Sequence, residues 1–459
     1  MSSKGSDDGE TCAPARYGYD SGEAMKTASP TASSSAPQRE AVTGERVTRP
    51  RRSPLWWLLV LGPGIIVMLA DTDAGSVITA AQSGAEWGYQ LLLPQFLLIP
   101  ILYSIQEITV RLGVLTGQGH GALIRDRFGR GWAVLSVGTL FASCVGALIT
   151  EFVGIAGVGE LFGLPRWTTV GAAALLLLAL ALSGSYTRVE RVGIAVGLLE
   201  LLFIPAALLA HPRLDAVAHG LVNIPLNQRG YVFLLAANVG AVIMPWMVFY
   251  QQGAVIDKGV RRQQLRLSRW DTLVGAVATQ LIMAAVIVVT AATIGRTHPN
   301  TPLDSVGAIA RALAPFLGWD GARILFGLGI VGAAFVAALV VSLAAAWGIS
   351  EVFGWRHSLN DPIPRARRFY WLYAVAIIAG AVLVIVEGNL VNIAVDVEVM
   401  NAMLLPIVLG FLLALEATVL PTGQRMRGLW RYTVWSLAGV VMLLGAYIAV
   451  VTLLPGMSG

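Results

Sequence analysis

Long apolar segments recur eleven times along the 459-residue chain, and they restrict its fold more than any other feature. The interior of a bilayer offers no water to backbone N–H and C=O groups, so a segment that crosses it must pair them internally, as a helix does. Charged residues make up only 13% of the chain, against about 25% in soluble domains. The segments cover residues 56–83, 89–113, 132–162, 166–183, 189–210, 231–257, 270–295, 322–350, 370–387, 390–416 and 429–453. We therefore predict an all-α polytopic membrane protein with about eleven transmembrane helices, and a soluble globular enzyme is excluded.

The sequence outside these segments indicates the topology. Residues 1–50 are rich in Ser, Thr, Gly, Pro and charge, and we predict a disordered cytoplasmic tail there, followed by a membrane domain over residues 51–459. Lys and Arg collect in alternate loops, with 17 on the side of the N-terminus and six on the other. The positive-inside rule then places the N-terminus in the cytoplasm and, after an odd number of crossings of the cell (inner) membrane, the C-terminus outside. Because these cations are scattered through short loops, the net charge of +5 indicates lipid rather than nucleic acid as the partner.

Two of the segments are interrupted by residues that disfavour a continuous helix. The first contains Asp71 and Asp73 followed by Gly75, at a depth where a charge costs a few kcal/mol and normally marks an ion path or a paired interior site. An alternative interpretation is that an aspartate there only caps the second half of the helix. The sixth segment contains Pro245, which cannot donate a backbone hydrogen bond and frees carbonyls one turn earlier. Two breaks at corresponding positions predict an inverted repeat of five plus five helices with a site at the membrane midplane.

These residues, with several further motifs, resemble the natural resistance-associated macrophage protein (Nramp) family of divalent metal transporters. Asp73-Ala74-Gly75-Ser76 stands in the place of the family's DPGN motif, and Met244-Pro245-Trp246 stands in the place of its MPH motif. Further similarity lies in Arg111 to Gly117 with Arg125, in Glu151 of the third helix, in Arg188 to Arg191 and in Gly327 to Gly354. The resemblance covers residues 55–450. It implies the fold of the APC and LeuT-like transporters, in which helices 1 and 6 are discontinuous.

The resemblance also implies a set of metal ligands at the two breaks. They are the Asp73 carboxylate, the carbonyl oxygens of Ala70 and Ala241, the Met244 thioether, Ser76 in place of the family's asparagine, and Glu398 near a site glutamine of the tenth helix. Carboxylate and carbonyl oxygens bind any divalent cation, whereas a thioether favours transition metals over Mg²⁺ and Ca²⁺. The implied function is secondary transport of Mn²⁺ or Fe²⁺ across the cytoplasmic membrane by alternating access, with the metal as substrate and with no cofactor.

The sequence departs from the family at the residues associated with proton movement. The family's two sixth-helix histidines correspond to Trp246 and Gln251, neither of which titrates near neutral pH. Proton coupling by the usual route is therefore not expected. The remaining titratable candidates for a substitute path are Asp71, Asp73, Glu151 and Glu398. The five histidines of the chain are predicted to lie in loops and are assigned no role.

Other functions remain as alternatives at this stage. In lacking these two histidines, the sequence resembles the family's divergent magnesium-transporting branch. This resemblance favours a Mg²⁺ transporter without proton coupling. That branch, however, is expected to lack a methionine at the position of Met244. A membrane-embedded enzyme should carry a nucleophile with a base or an HExxH motif, and the sequence has neither. A non-transporting metal sensor should carry a folded soluble output domain. We predict a transporter that is not an enzyme and whose partners are divalent metal ions and the bilayer; the oligomeric state stays open.

Overall fold

The computed structural model describes residues 62–297, 303, 306–386 and 391–453. The predicted tail at residues 1–50 lies outside the described residues, as does the start of the first apolar segment. Within the described ranges all regular secondary structure is helical, which confirms the predicted fold class. The α-helices in chain order are α1 (Pro63–Asp71), α2 (Ala74–Trp87), α3 (Leu92–Thr116), α4 (His120–Phe128), α5 (Arg130–Leu161), α6 (Arg166–Leu182), α7 (Tyr186–Gly197), α8 (Phe203–Leu209), α9 (Leu214–Val222), α10 (Arg229–Val242), α11 (Pro245–Asp257), α12 (Leu265–Ala292), α13 (Ile294–Thr297), α14 (Val306–Phe353), α15 (Arg367–Val386), α16 (Val391–Thr418) and α17 (Gly428–Leu453).

Each predicted apolar segment corresponds to one helix or to consecutive helices. The first segment is α1 with α2, the sixth is α10 with α11, and the fifth contains α7, a 3-10 turn at Leu198–Leu202, and α8. In the part of the chain that the structure describes, nine spans are long and apolar enough to cross a membrane, or ten if α1 and α2 count as one. The shorter apolar helix α6, with 17 residues, brings the number to the eleven that the sequence predicts.

The first break lies between α1 and α2, whose axes differ by 49°. The backbone of Asp73 is extended, and its carboxylate accepts a hydrogen bond from the N–H of Ser76 at 2.6 Å. Aspartate is among the preferred N-cap residues because its side chain can satisfy an amide that has no partner within the helix. The break is therefore produced by local sequence.

The second break lies between α10, which ends at Val242, and α11, which begins at Pro245. Proline suits the first position of a helix, where its missing N–H would have no partner within the helix. Ile243 and Met244 leave helical geometry, with ψ angles of 82° and 141°. Both interruptions predicted from the sequence are present in the structure.

The packing of the long helices places the two breaks in the interior of the bundle. α14, which contains one non-helical residue at Gly318, packs against α5, α1, α7, α11 and α15. α16 packs against α10 and α2, and α12 packs against α1, α2 and α3. The breaks are thus surrounded by α5, α12, α14 and α16. α17 is peripheral, since only 28% of its most apolar stretch is buried.

Candidate metal centre

Asp73 lies at the first break and is fully buried. One carboxylate oxygen, Oδ1, caps α2 through the N–H of Ser76. The other oxygen, Oδ2, is buried and has no hydrogen-bond partner. A buried anionic oxygen without a partner is costly, so its presence indicates room for a cation or a proton. The aspartate is therefore a cap, as the alternative interpretation held, and it also keeps one oxygen available as a ligand.

The two predicted carbonyl ligands have each lost the amide that would pair with them in a continuous helix. The helical partner of the Ala70 carbonyl is the N–H of Ala74, which instead donates to Glu151 Oε2 at 3.1 Å. The helical partner of the Ala241 carbonyl is at Pro245, which has no N–H. Both carbonyls belong to buried residues, so the breaks leave acceptor capacity in the interior.

Ser76 connects the two breaks directly. Its hydroxyl donates to the Ala241 carbonyl oxygen at 3.0 Å, across 165 residues of sequence. The serine oxygen and the carbonyl oxygen each retain a lone pair, since both atoms can accept two hydrogen bonds. This hydrogen bond brings the predicted ligands of the first and sixth segments into one site.

Met244 lies at the second break, where it precedes the first residue of α11, and its exposed fraction is 1%. The indole N–H of Trp246 donates to the Met244 sulfur, with a distance of 3.0 Å between the nitrogen and sulfur atoms. The residue that replaces the family's histidine therefore contacts the predicted thioether ligand. One lone pair of the sulfur is occupied in this arrangement, which the sequence did not reveal.

Glu398 projects from α16 toward the first break and is fully buried. Asn401 donates to its Oε2 at 2.9 Å, whereas Oε1 has no hydrogen-bond partner. A Cβ atom at Gly75 would contact Oε1 of Glu398 and would lie 3.5 Å from Oδ1 of Asp73. A side chain at position 75 would therefore displace the glutamate from its place beside Asp73, and the two carboxylates interact electrostatically.

The two predicted proton-path residues lie on either side of Asp73. Glu151 is fully buried in α5 and accepts the hydrogen bond from the N–H of Ala74. Asp71 ends α1 and faces α12, where Thr279 and Gln280 approach its Oδ2 at 3.4 and 3.5 Å. The other oxygen of Asp71 has no hydrogen-bond partner. Both carboxylates interact electrostatically with Asp73.

A further buried carboxylate, Glu200, was not among the predicted site residues. It lies in the 3-10 turn at Leu198–Leu202, is fully buried, and has no hydrogen-bond partner on either oxygen. It interacts electrostatically with Asp71 and Asp73. Its signal in the sequence is an acidic residue in the middle of the apolar run 189–210, ten residues after Glu190 at the start of that run. This is the same kind of signal that drew attention to Asp73.

The acidic side chains alone do not form a complete coordination sphere. Among the described residues, no three His, Cys, Asp or Glu side chains are arranged to hold a metal ion together. An ion at the breaks would therefore need carbonyl, hydroxyl or thioether donors in addition to carboxylates. The freed carbonyls of Ala70 and Ala241 and the side chains of Ser76 and Met244 have that chemistry.

The prediction that the histidines lie in loops is wrong for His120 and His219. His219 belongs to α9, and His120 begins α4 and is fully buried. His120 contacts Gln252 through a hydrogen bond of 3.2 Å at Nδ1, and burial lowers its pKa to about 4. The sequence signal was weak because the short helix α4 is too polar to resemble a membrane span. His298 lies outside the described residues.

Known proteins resemble this chain in both sequence and fold. Residues 64–451 match the family described as natural resistance-associated macrophage protein-like. A divalent metal cation transporter MntH of Klebsiella pneumoniae (strain 342) is 26% identical over 408 residues, which cover 86% of this chain and 95% of that protein. A protein of the same name from Ralstonia nicotianae is 30% identical over 307 residues, 62% of this chain and 68% of the relative.

Solved structures extend the likeness to the fold. The manganese transporter of Eremococcus coleocola, in complex with an aromatic bis-isothiourea substituted compound, superposes with a TM-score of 0.70 at 20% identity, covering 89% of this chain and 90% of that one. MhsT in complex with L-phenylalanine superposes with a TM-score of 0.58 at 13% identity, covering 86% and 98%. These similarities confirm the predicted transporter fold, and the relatives that share the sequence are named as transporters rather than enzymes. With a family match that spans most of its length, the chain belongs to the Nramp family.

Proposed function

We propose that this protein transports divalent metal ions across the cytoplasmic membrane by alternating access, with Mn²⁺ as the leading substrate. The observation that carries the proposal is the buried pair Asp73 and Glu398, each with one oxygen that has no hydrogen-bond partner, at the meeting point of two broken helices. Relatives named as divalent metal cation transporters support it. A divalent cation between the two carboxylates would neutralise both and replace their missing partners.

The proposed ligands combine hard and soft donors. They are Asp73, Ala70, Ser76, Ala241, Met244 and Glu398, the set that the family resemblance implies. Carboxylate and carbonyl oxygens suit Mn²⁺, Mg²⁺ and Ca²⁺ alike, whereas a thioether stabilises softer transition metals. The mixed set therefore favours Mn²⁺ or Fe²⁺ over the alkaline earth ions.

Transport of Mg²⁺ is the second candidate function, and it rests on two observations at the same site. Glu398 adds a second carboxylate beside Asp73, which strengthens binding of hard cations. The Trp246 indole N–H donates to one lone pair of the Met244 sulfur, which weakens the attraction of the sulfur for soft cations. Competition between Mn²⁺ and Mg²⁺ for uptake distinguishes the two candidates.

The site must open before an ion can reach it. Each proposed ligand residue is at most 1% exposed, so the structure holds the site closed. At one end of the broken helix, Asp271 of α12 accepts hydrogen bonds from the N–H groups of Gly62 and Gly64 at 3.0 and 2.8 Å. At the other end, Gln82 accepts a hydrogen bond from the N–H of Leu303 at 2.8 Å. We propose that these contacts break in turn, with Gly62 on the cytoplasmic side.

Weak coupling to protons is part of the proposal. Trp246 and Gln251 take the positions of the family's histidines, and neither side chain titrates in the physiological range. Glu151 is the leading substitute, since its carboxylate reaches the backbone beside Asp73. Acidification inside liposomes that follows Mn²⁺ entry, and that disappears in Glu151→Gln, would contradict weak coupling.

Uptake into proteoliposomes tests the proposed function. Asp73→Asn keeps a residue that can cap α2 but removes the charge, so Mn²⁺ uptake should be lost while the protein stays folded. Asp396→Asn is a matched control, because Asp396 is an exposed aspartate of α16 close to the site in sequence. Wild-type uptake by Asp73→Asn would refute the assignment of the metal centre.

A further inference from the structure

A polar cavity of about 390 Å³ opens on the arginine-rich side of the protein, where α3 and α16 end and α12 and α17 begin. Its lining includes the side chains of Tyr103, Arg111, Arg269, Arg425, Arg427 and Trp430, together with Glu107. We infer that this cavity binds the phosphate group of an anionic ligand, supplied by a phospholipid headgroup or by free phosphate. None of the proposed metal ligands lines this cavity, so it is a separate site.

The charges around the cavity do not balance. Glu107 bridges Arg111, at 3.0 Å between Oε2 and Nε, and Arg269, at 2.7 Å between Oε1 and Nη2. Arg111 also lies 3.7 Å from Glu416. Four guanidinium groups therefore face two carboxylates, which leaves an excess of two positive charges. The single negative charge of a phosphodiester headgroup would offset part of that excess, and a free phosphate, with up to two negative charges, would offset more of it.

The loop between α16 and α17 holds the remaining two arginines in place. Arg425 donates from Nε to the Leu420 carbonyl at 2.6 Å, and from Nη2 to the Thr418 carbonyl at 3.1 Å. Arg427 donates to the Thr422 carbonyl. Carbonyl oxygens orient a guanidinium group without neutralising it, so both positive charges stay available to a ligand.

Arg111 supplies the observation that distinguishes a binding site from a structural ion-pair network. Its side chain is only 5% exposed, and its Nη2 atom has no hydrogen-bond partner although it is buried. A buried guanidinium donor without an acceptor is unfavourable, because desolvation is not repaid. Phosphate oxygens fit this requirement, since guanidinium groups bind them in paired, charge-assisted hydrogen bonds.

The surroundings place the cavity at the level of lipid headgroups. Trp430 in the cavity wall is 47% exposed, and Trp270, next to Arg269, is 56% exposed. Tryptophans concentrate where the apolar core of a bilayer meets water, and basic pockets between transmembrane helices bind anionic headgroups there. A phospholipid could therefore place its phosphate in the cavity and its acyl chains along the outer helices.

Binding measurements on the purified full-length protein test this inference. The cavity variant combines Arg269→Gln with Arg427→Gln, and the control combines Arg266→Gln with Arg431→Gln. Each pair removes one positive charge from the first turns of α12 and one from residues 427–431, where the loop passes into α17. Arg266 and Arg431 do not line the cavity. Retention of phosphatidylglycerol is counted by native mass spectrometry, and thermal shifts are recorded with phosphatidylglycerol, phosphatidylcholine or inorganic phosphate added. Mn²⁺ affinity serves as the folding check.

We expect phosphatidylglycerol to bind the cavity variant at least about tenfold more weakly than the wild type, whereas the control pair binds normally. If inorganic phosphate produces the same pattern, the ligand is free phosphate; if only the phospholipid does, the ligand is a headgroup. Equal losses in both pairs would mean general surface attraction and would overturn the site. Absence of any binding by the wild type would overturn it as well.

Discussion

Replacement of Glu398 by glutamine should weaken metal binding without disturbing the fold. Glutamine has nearly the same shape, and its carbonyl oxygen can accept the hydrogen bond that Asn401 now donates at 2.9 Å. Oxygens of Glu398 and Asp73 both lie within 3.5 Å of one point beside Gly75, so an ion there would lie close to both carboxylates.

The size of the effect follows from Coulomb's law. Two unit charges about 4 Å apart interact by about 4 kcal/mol at an effective dielectric constant of about 20, and a divalent ion doubles this. The glutamine carbonyl keeps an ion–dipole attraction to the metal, and in the wild type the ion must displace the water or proton that lies beside Glu398. Together these two effects offset more than half of that gain. A net loss of about 3 kcal/mol remains, which corresponds to a little over a hundredfold increase in the Kd for Mn²⁺.

Isothermal titration calorimetry of the purified protein with Mn²⁺ measures the effect. Asp396→Asn provides the control, since it removes a carboxylate from the surface of the same helix. A Kd for Glu398→Gln within threefold of the wild-type value would refute the reasoning, because Glu398 could then not face the ion.

Three further changes probe separate parts of the structure. Met244→Ala should weaken uptake of Cd²⁺ and Mn²⁺ relative to Mg²⁺, because only the softer ions gain from sulfur, whereas Met247→Ala, an equally buried truncation, should leave the ratio of uptake rates unchanged. Glu200→Gln should weaken Mn²⁺ binding several-fold, because the carboxylate interacts electrostatically with Asp71 and Asp73 at the first break; an unchanged Kd would mean that Glu200 does not act on the ion. Because the pKa of His120 is about 4 in the folded protein and about 6.5 in the unfolded chain, the unfolded chain binds more protons as the pH falls below about 6.5. Folding stability should then fall by about 2 kcal/mol between pH 7 and pH 5. The apparent Tm should drop over this range, and less so in His120→Asn; an identical pH profile for the two proteins would exclude His120 as the cause.

Sequence alone identified the features that depend on nearby residues. Long apolar runs must become helices in lipid, so their number and approximate bounds could be predicted. The positions of the two breaks also depend on nearby residues, because Pro245 has no N–H and Asp73 caps the helix that begins at Ala74. Family resemblance extended this to a set of candidate ligands, although it did not show how they meet.

Tertiary structure decided which side chains share the interior. The hydrogen bond from Ser76 to Ala241 joins residues 165 positions apart, and Glu200 reaches the site only because its helix packs beside the first break. His120 is buried by its contact with Gln252, 132 positions away. Such contacts follow from how the helices pack, and no pattern of nearby residues encodes that packing. The sequence by itself therefore determined the helices and their interruptions, whereas packing decided which charges are buried and which of them lack a partner.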